Sequence, residues 1–351
     1  MNGNEFYLPT ETPPTRSVRD VHAWADFLLS LDAQDPDNAE TVKRVTALMA
    51  ETSLDVHMRI SERVLVKVRK SYGESVVAVC GLFSGGKDST TFMHLLQNHF
   101  DYAVHINTGI GVEQTRQFVR DTCGQWKLSL IEKSPPPGST YVDQIKEFGF
   151  PGPGAHGRMY INLKERALRL VRKDLVTNGR KQRVLFVNGV RHSESERRMR
   201  NTQMHYREGS VVWVAPIAWW PNHCLVEYRE AFDVPVNEVS DHLHMSGECL
   251  CGAYAKEGEL DQLAFFYPAT AEYIRSLERL LESEGNPACR WGKPPPKGFS
   301  RMPKEPVVEV GPLCQKCEIG VDVAAAGDEV NEAEVNGDEG DGDDGGPQDV
   351  G

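Results

Sequence analysis

Long apolar runs are missing from this sequence. No stretch approaches the roughly 18 apolar residues that a membrane-spanning helix needs, which excludes a helical integral membrane protein. A basic flank followed by an apolar stretch is missing after Met1-Asn2-Gly3-Asn4-Glu5, so no secretory leader is read and a cytoplasmic location is expected. No internal repeat is visible. Lys and Arg are missing from Asp322 onward, where the chain holds 11 Asp and Glu residues. Taking those 11 charges from the formal −12 leaves −1 for the rest, so the acidic balance describes a tail and not a binding surface. A Gly/Asp/Glu segment with little to bury cannot offset its ordering entropy and is expected to be disordered over 321–351. It reads as a solubility tail, with a regulatory or nucleic-acid-mimicking role as the alternative.

What is present suits a globular enzyme. Of 351 residues, 40% are hydrophobic and 26% charged, enough for one large domain or two modest ones. Residues 1–20 are rich in Pro and Thr and read as a flexible lead-in. Helical apolar spacing over Val21–Leu31, Ala39–Met49 and Met58–Tyr72 defines a helical N-terminal segment, 21–72. Ser75–Phe83 is apolar without alternation, as a strand buried on both faces of a parallel sheet reads. Strand and helix patterns then alternate. Strands are expected at Tyr102–Ile106, Lys127–Ile131, Arg183–Val187 and Val211–Pro216, with helices at Thr90–His99, Thr115–Trp126 and Asn162–Asn178. This predicts an α/β fold with a doubly wound, mostly parallel sheet over 73–235. Beyond it, Leu260–Phe266 and Thr270–Leu281 read as helices within a Cys-rich subdomain, 236–320.

The segment Ser84-Gly85-Gly86-Lys87-Asp88-Ser89 joins a buried strand to a helix beginning near Asp88. Adjacent glycines permit positive φ and close approach of a ligand to the backbone. The helix N-terminus adds unpaired N–H groups and partial positive charge, which favour phosphate. Lys87 supplies an ammonium, and Ser84, Ser89 and Thr90 supply hydroxyls. Gly81 to Lys87 fits the start of a Walker A pattern. Asp88 then stands where Ser or Thr would hold Mg²⁺, which disfavours a GTPase or ATPase.

Cys80, Cys123 and Cys224 sit among apolar neighbours and read as buried hydrophobes. Cys249, Cys251, Cys289, Cys314 and Cys317 crowd the C-terminal third. In a reducing compartment such a group reads as a metal site, and Cys314-Gln315-Lys316-Cys317 has chelate spacing. Four thiolates suit either Zn²⁺ or a [4Fe–4S] cluster. The favoured ligands are Cys289, Cys314 and Cys317 with Cys249 or Cys251. Between Arg158 and Arg200, 13 basic residues face four acidic ones; this region is a solvated helix face or a contact for nucleic acid.

The six residues Ser84–Ser89 resemble the PP-loop of the ATP-pyrophosphatase superfamily, and more narrowly its phosphoadenosine phosphosulfate (PAPS) reductase branch. Asn107-Thr108-Gly109 stands at a strand end where that family has Asp-Thr-Gly, with Asn107 in place of the acid. Gly189, Arg191, Glu194 and Arg198 match the family's G-x-R-x-x-E-S-x-x-R. Pro216-Ile217-Ala218-Trp219-Trp220 echoes a further family segment. The resemblance covers about residues 60–235. It implies an adenine nucleotide alpha-hydrolase-like fold binding ATP or a related adenine nucleotide with Mg²⁺. Its phosphates would lie on Ser84–Ser89, its adenosine beside Asn107–Gly109, and Lys87, Asp88, Arg191 and Arg198 would do the chemistry. The thioredoxin-linked Glu-Cys-Gly-Ile-His ending is lacking. DNA phosphorothioation sulfurtransferases and bacterial adenylylsulfate reductases in this family carry four-Cys iron–sulfur clusters, which tilts the metal toward [4Fe–4S]. The leading expectation is an adenylating, sulfur-handling enzyme served by a sulfur donor such as a cysteine desulfurase. The alternatives are a reductase of adenylated sulfate and a non-catalytic nucleotide-binding component of a DNA-modification or defence assembly.

Overall fold

The computed structural model describes residues 8–33, 35–194, 202–286 and 289–293. The N-terminal helices are α1 (Val18–Ser30), α2 (Ala39–Ala50) and α3 (Leu54–Tyr72). Ser17 starts α1 ahead of the expected Val21 because its hydroxyl accepts the Asp20 amide. Residues before it are tied down as well: Leu8 packs on the core and Thr10 Oγ1 accepts from Trp24 Nε1. In α3, Val56, Ile60, Val64, Leu65 and Val68 form one buried stripe, and Gly73 ends the helix at φ +52°, a conformation glycine adopts without strain.

The sheet has six strands: β1 (Val76–Leu82), β2 (Tyr102–Ile106), β3 (Leu130–Lys133), β4 (Arg183–Val187), β5 (His205–Glu208) and β6 (Val211–Val214). Their order is β3-β2-β1-β4-β6-β5. All neighbours are parallel except the β5/β6 pair, so the sheet is mostly parallel and flanked by helices, as expected. In β1, Ala78, Cys80 and Leu82 enter one core with Phe186 and with Leu168 and Val171 of a covering helix. Val79 enters the other core, with Leu185, Val187 and helices α1–α3. From Ala78 to Leu82 both faces of β1 are buried, which is why its sequence does not alternate.

Some element boundaries differ from expectation. β3 begins at Leu130 and not Lys127, because Lys127 takes φ +53° in the turn that closes α5 (Glu113–Gln125). The expected helix at Asn162–Asn178 is a composite: α7 (His156–Tyr160), a π turn (Ile161–Glu165) and α8 (Arg166–Leu175). It stops at Leu175 because Gln182 Oε1 accepts from the Thr177 and Asn178 amides and folds the chain into a turn. α4 (Lys87–Leu96) opens beside Asp88, where the glycine turn placed its start, and ahead of Thr90, where the apolar periodicity begins. Four elements carried no strong periodic signal: α6 (Tyr141–Phe148), the edge strand β5, α9 (Asn222–Ala231) and α10 (Glu238–Leu243). α6 had a capping box, Thr140 with Asp143, that marks its start. α11 (Glu259–Phe266) and α12 (Pro268–Ser283) contain the two C-terminal helices read from sequence. They share a third core with Ile110, Tyr141, Phe150, Leu163, Leu250, Cys251 and Cys289. No described helix is long and apolar enough to cross a membrane.

Trp220 joins the N-terminal helices to the sheet. Its indole Nε1 donates to Ser61 Oγ on α3 at 2.8 Å, and Ser61 Oγ in turn reaches Pro216 O at 2.9 Å, with both side chains buried. Replacing Ser61 by Ala leaves that buried N–H without an acceptor. S61A is expected to lower unfolding free energy by about 1–3 kcal/mol, read as a shift of the urea midpoint at unchanged m-value.

Candidate active site

β1 and β4 are adjacent and parallel, and the connections after them leave toward opposite edges of the sheet. A crevice opens at such a switch point, outside the carboxyl ends of the strands. Here it is an open cleft with a cavity volume of about 70 Å³. Its lining includes Ser84, Asp88 and Ser89 from the β1–α4 turn, Ile106 at the end of β2, Gly189 and Glu194 after β4, and Lys164 and Glu248.

The β1–α4 turn has the geometry an anion needs. Gly85 takes φ +76°, and a Cβ there would lie 3.0 Å from Thr115 Cγ2. Gly86 is the N-cap of α4 and, having no side chain, leaves the helix end uncapped. The turn is held from behind: Asn237 Nδ2 donates to Gly85 O at 2.9 Å, while Ser89 Oγ and Thr90 Oγ1 donate to Gly86 O at 2.9 and 2.8 Å. The first-turn amides of α4 are thus left without a capping side chain, and Ser84, Asp88 and Ser89 of the same turn line the cleft. Ser84 Oγ and Ser89 Oγ lie 3.0 Å apart, and both residues contribute to the cleft lining. Lys87 is half-exposed, its Nζ 2.8 Å from Asp241 Oδ1.

Arg191 is placed differently from the phosphate clamp expected of it. Its guanidinium is buried and donates to Asp88, to Ser193 Oγ at 2.7 Å, to Asn222 Oδ1 at 2.8 Å and to Trp220 O at 3.3 Å. It thereby locks Asp88 on the first turn of α4. Glu194 Oε1 accepts the Arg191 amide at 2.9 Å and fixes the same loop. Gly189 has a steric reason: a Cβ would lie 2.7 Å from Phe92 and 3.1 Å from the Asp88 backbone, so only glycine lets this loop close on α4. Arg198 lies outside the described residues.

Asn107 is a hub, with Nδ2 donating to Glu132 Oε1 at 3.0 Å and Oδ1 accepting from Gly109 N and Arg116 Nη1. An acid at this position would meet Glu132, whereas the amide donates to it. Thr108 leads to a residue that the sequence reading missed, Glu248. Glu248 Oε1 accepts the Thr108 amide at 2.9 Å, and its backbone carbonyl accepts the Thr108 hydroxyl at 2.6 Å. Glu248 Oε2 stands 2.9 Å from His105 Nε2, and His105 Nδ1 stands 2.7 Å from Phe83 O. Both side chains are buried. No local sequence signal marks this pair, whose members are far apart in the chain.

Cys249 and Cys251 follow directly. The hydrogen bond with Cys251 holds the Cys249 thiol below its ordinary range against the cost of burial, aided by Lys164 and His156, while the same bond and burial push Cys251 up. Cys289 is buried in the same core and burial raises it too. Among the described residues no group of three or more His, Cys, Asp or Glu is arranged to hold a metal ion, and Cys314 and Cys317 lie outside them. On the basic helix, Arg169 pairs with Glu165, and Arg166 and Arg172 donate to Ser139 and Ser210.

Burial alone would lower the pKa of His105; facing the Glu248 carboxylate and the Phe83 carbonyl, the imidazole is instead raised above its ordinary value. A raised folded-state value means the pair's stabilisation is full below the ordinary imidazole range and fades as pH rises through the folded value. The stability advantage of the unmodified protein over E248Q is therefore expected to shrink with rising pH, measured as urea midpoints across pH 5–9.

The PAPS reductase domain model matches residues 78–246. Among solved structures, a phosphate complex of PAPS reductase from Candida auris is 14% identical, covers 65% of this chain and 93% of that one, and has a TM-score of 0.39. Candida glabrata FMN adenylyltransferase, in complex with FAD and inorganic pyrophosphate, is 12% identical over 59% of this chain and 70% of that one, TM-score 0.39. Yeast FAD synthetase in complex with FAD is 15% identical over 62% and 67%, TM-score 0.33. No curated protein matches the chain. The domain match takes in the Ser84–Ser89 turn, Asn107–Gly109 and the Gly189–Glu194 loop together, and over residues 78–246 this chain is a domain of the phosphoadenosine phosphosulfate reductase family.

Proposed function

We propose that the cleft binds ATP or a related adenine nucleotide and that the chain transfers the adenylyl group to an acceptor, with release of pyrophosphate, as one stage of a sulfur-transfer reaction. One observation carries this reading: the N-terminus of α4 is uncapped, and its turn contributes Ser84, Asp88 and Ser89 to a cleft at the carboxyl ends of β1 and β4, with Lys87 on the same turn. The phosphates lie along Ser84–Ser89 and the adenosine extends toward Asn107–Gly109. An acceptor oxygen attacks the α-phosphorus. The bond to the α,β-bridging oxygen breaks, and its electron pair leaves on pyrophosphate. The α4 amides and Lys87 offset the charge that develops there, while Arg191 acts through Asp88 by holding the first turn rigid. Arg198 is proposed as the arginine that contacts the phosphates. Bound together with the nucleotide, Mg²⁺ would supply further neutralisation of the leaving group.

For the cysteines, Cys289, Cys314 and Cys317 with Cys249 or Cys251 are the proposed ligands of a [4Fe–4S] cluster or Zn²⁺. A sulfur donor such as a cysteine desulfurase, and nucleic acid along 158–200, are the partners this reading calls for. A second reading, reduction of an adenylated sulfate, is favoured by Cys249: it is the least buried of the described C-terminal cysteines, and it adjoins Glu248 on the cleft wall.

Three measurements decide among these. Pyrophosphate release from ATP with candidate acceptors is expected, and K87M is expected to weaken ATP binding about 10- to 100-fold, as loss of a charge-assisted bond to phosphate implies. Sulfite formation from PAPS with reduced thioredoxin, without pyrophosphate release from ATP, would establish the reductase instead. Anaerobically purified protein is expected to be brown, with iron and sulfide near four each per chain if the [4Fe–4S] cluster is present; zinc alone would remove electron transfer from the scheme.

A further inference from the structure

The ammonium that the loop presents is not held by the loop alone. Lys87 Nζ lies 2.8 Å from Asp241 Oδ1, with each side chain about half-exposed (47% and 50%). Asp241 sits on α10, whose start is fastened to the same turn: Asn237 Nδ2 and Ser240 Oγ both donate to Gly85 O, at 2.9 and 3.4 Å. Asn237 and Ser240 are buried, so the carboxylate on the next position is carried to Lys87 by a fixed support and not by a wandering side chain. Arg229 completes the arrangement, donating to Lys87 O at 3.3 Å with Asp241 and Asp88 as its neighbouring charges.

From this geometry we propose that Asp241 is an internal anionic competitor for Lys87, a positioning residue that weakens the grip on polyphosphate and speeds its release. The inference rests on the loop being a polyphosphate seat. A phosphate that engages Lys87 must take the ammonium from a carboxylate already in contact with it, and must approach a second negative charge to do so. Both terms oppose binding. Both also favour departure of the leaving pyrophosphate, since the carboxylate retakes Lys87 as the phosphate goes. Adenosine carries no phosphate and meets neither term.

Isothermal titration tests this with inorganic tripolyphosphate, ATP and adenosine, against the unmodified protein, D241N, K87M and K87M/D241N, with dissociation rates for ATP by stopped flow. An exposed ion pair of this kind corresponds to about a two- to fivefold change in affinity. D241N is expected to bind tripolyphosphate and ATP tighter by that factor, with slower ATP release and unchanged adenosine affinity. In the K87M background the gain from D241N is expected to shrink, because the contact being relieved is gone. D241S carries the same expectation should D241N fold poorly. Equal or weaker tripolyphosphate binding by a folded D241N, or equal tightening of adenosine, overturns the proposal while leaving the loop assignment intact. No binding of tripolyphosphate or ATP to either the unmodified protein or D241N overturns the loop assignment and this inference with it.

Discussion

The constraint on which this structure depends is the direction of the first turn of α4. For its amides to face a cleft, the peptide groups at Gly85 and Gly86 must turn their carbonyls into the protein, and buried carbonyls need donors. Asn237, Ser89 and Thr90 supply them. The left-handed backbone at Gly85 makes the turn, and the missing side chain at Gly86 leaves the helix end open. Every other part of the site is arranged around that turn. Gly189 lets the β4 loop close on it, and Arg191 reaches in from below to hold Asp88.

A second consequence is the role of the chain from Asn237 to Leu250. At one end it braces Gly85 and brings Asp241 to Lys87. At the other, Gly247 O accepts the Val112 amide, Leu250 N donates to Ile110 O, and Glu248 gathers Thr108 and His105. The same stretch therefore touches both loops that flank the cleft; it contains Cys249 and leads directly into Cys251. Gly111 shows how close the approach is, since a Cβ there would lie 2.4 Å from Glu248 O. Backbone hydrogen bonds on either side of Cys249, from Val112 N to Gly247 O and from Leu250 N to Ile110 O, tie this stretch to the loop after β2.

Much of the fold was legible in the sequence. Unbroken apolar runs announced the parallel strands, because a strand covered on both faces has no reason to alternate. The glycine turn between a buried strand and a helix announced the cleft. What escaped were elements whose stability is borrowed from neighbours. β5 is an edge strand with half-exposed residues, defined by pairing with β6 across Gly209. α10 has only six residues and is held by its cap and its contacts to the loop. Lys127 lies in an apolar-looking stretch yet belongs to a turn, since a register fixed by β2 leaves it no partner.

The sequence by itself determined the turn: residue types at short spacing, Ser84 to Ser89, dictate a glycine turn that opens a helix with an uncapped N-terminus, because the backbone geometry they need is local. Tertiary structure alone decided what each charge does. Arg191 read as a phosphate clamp, but burial surrounds it with protein acceptors and makes it a support for Asp88. Asp241 and Glu248 carried no signal, because their partners stand 154 and 143 positions away and only the packing of α10 and the irregular segment after it brings them together. Charge partners are chosen by distance in space, and that distance is set by the sheet and its crossovers, not by neighbours along the chain.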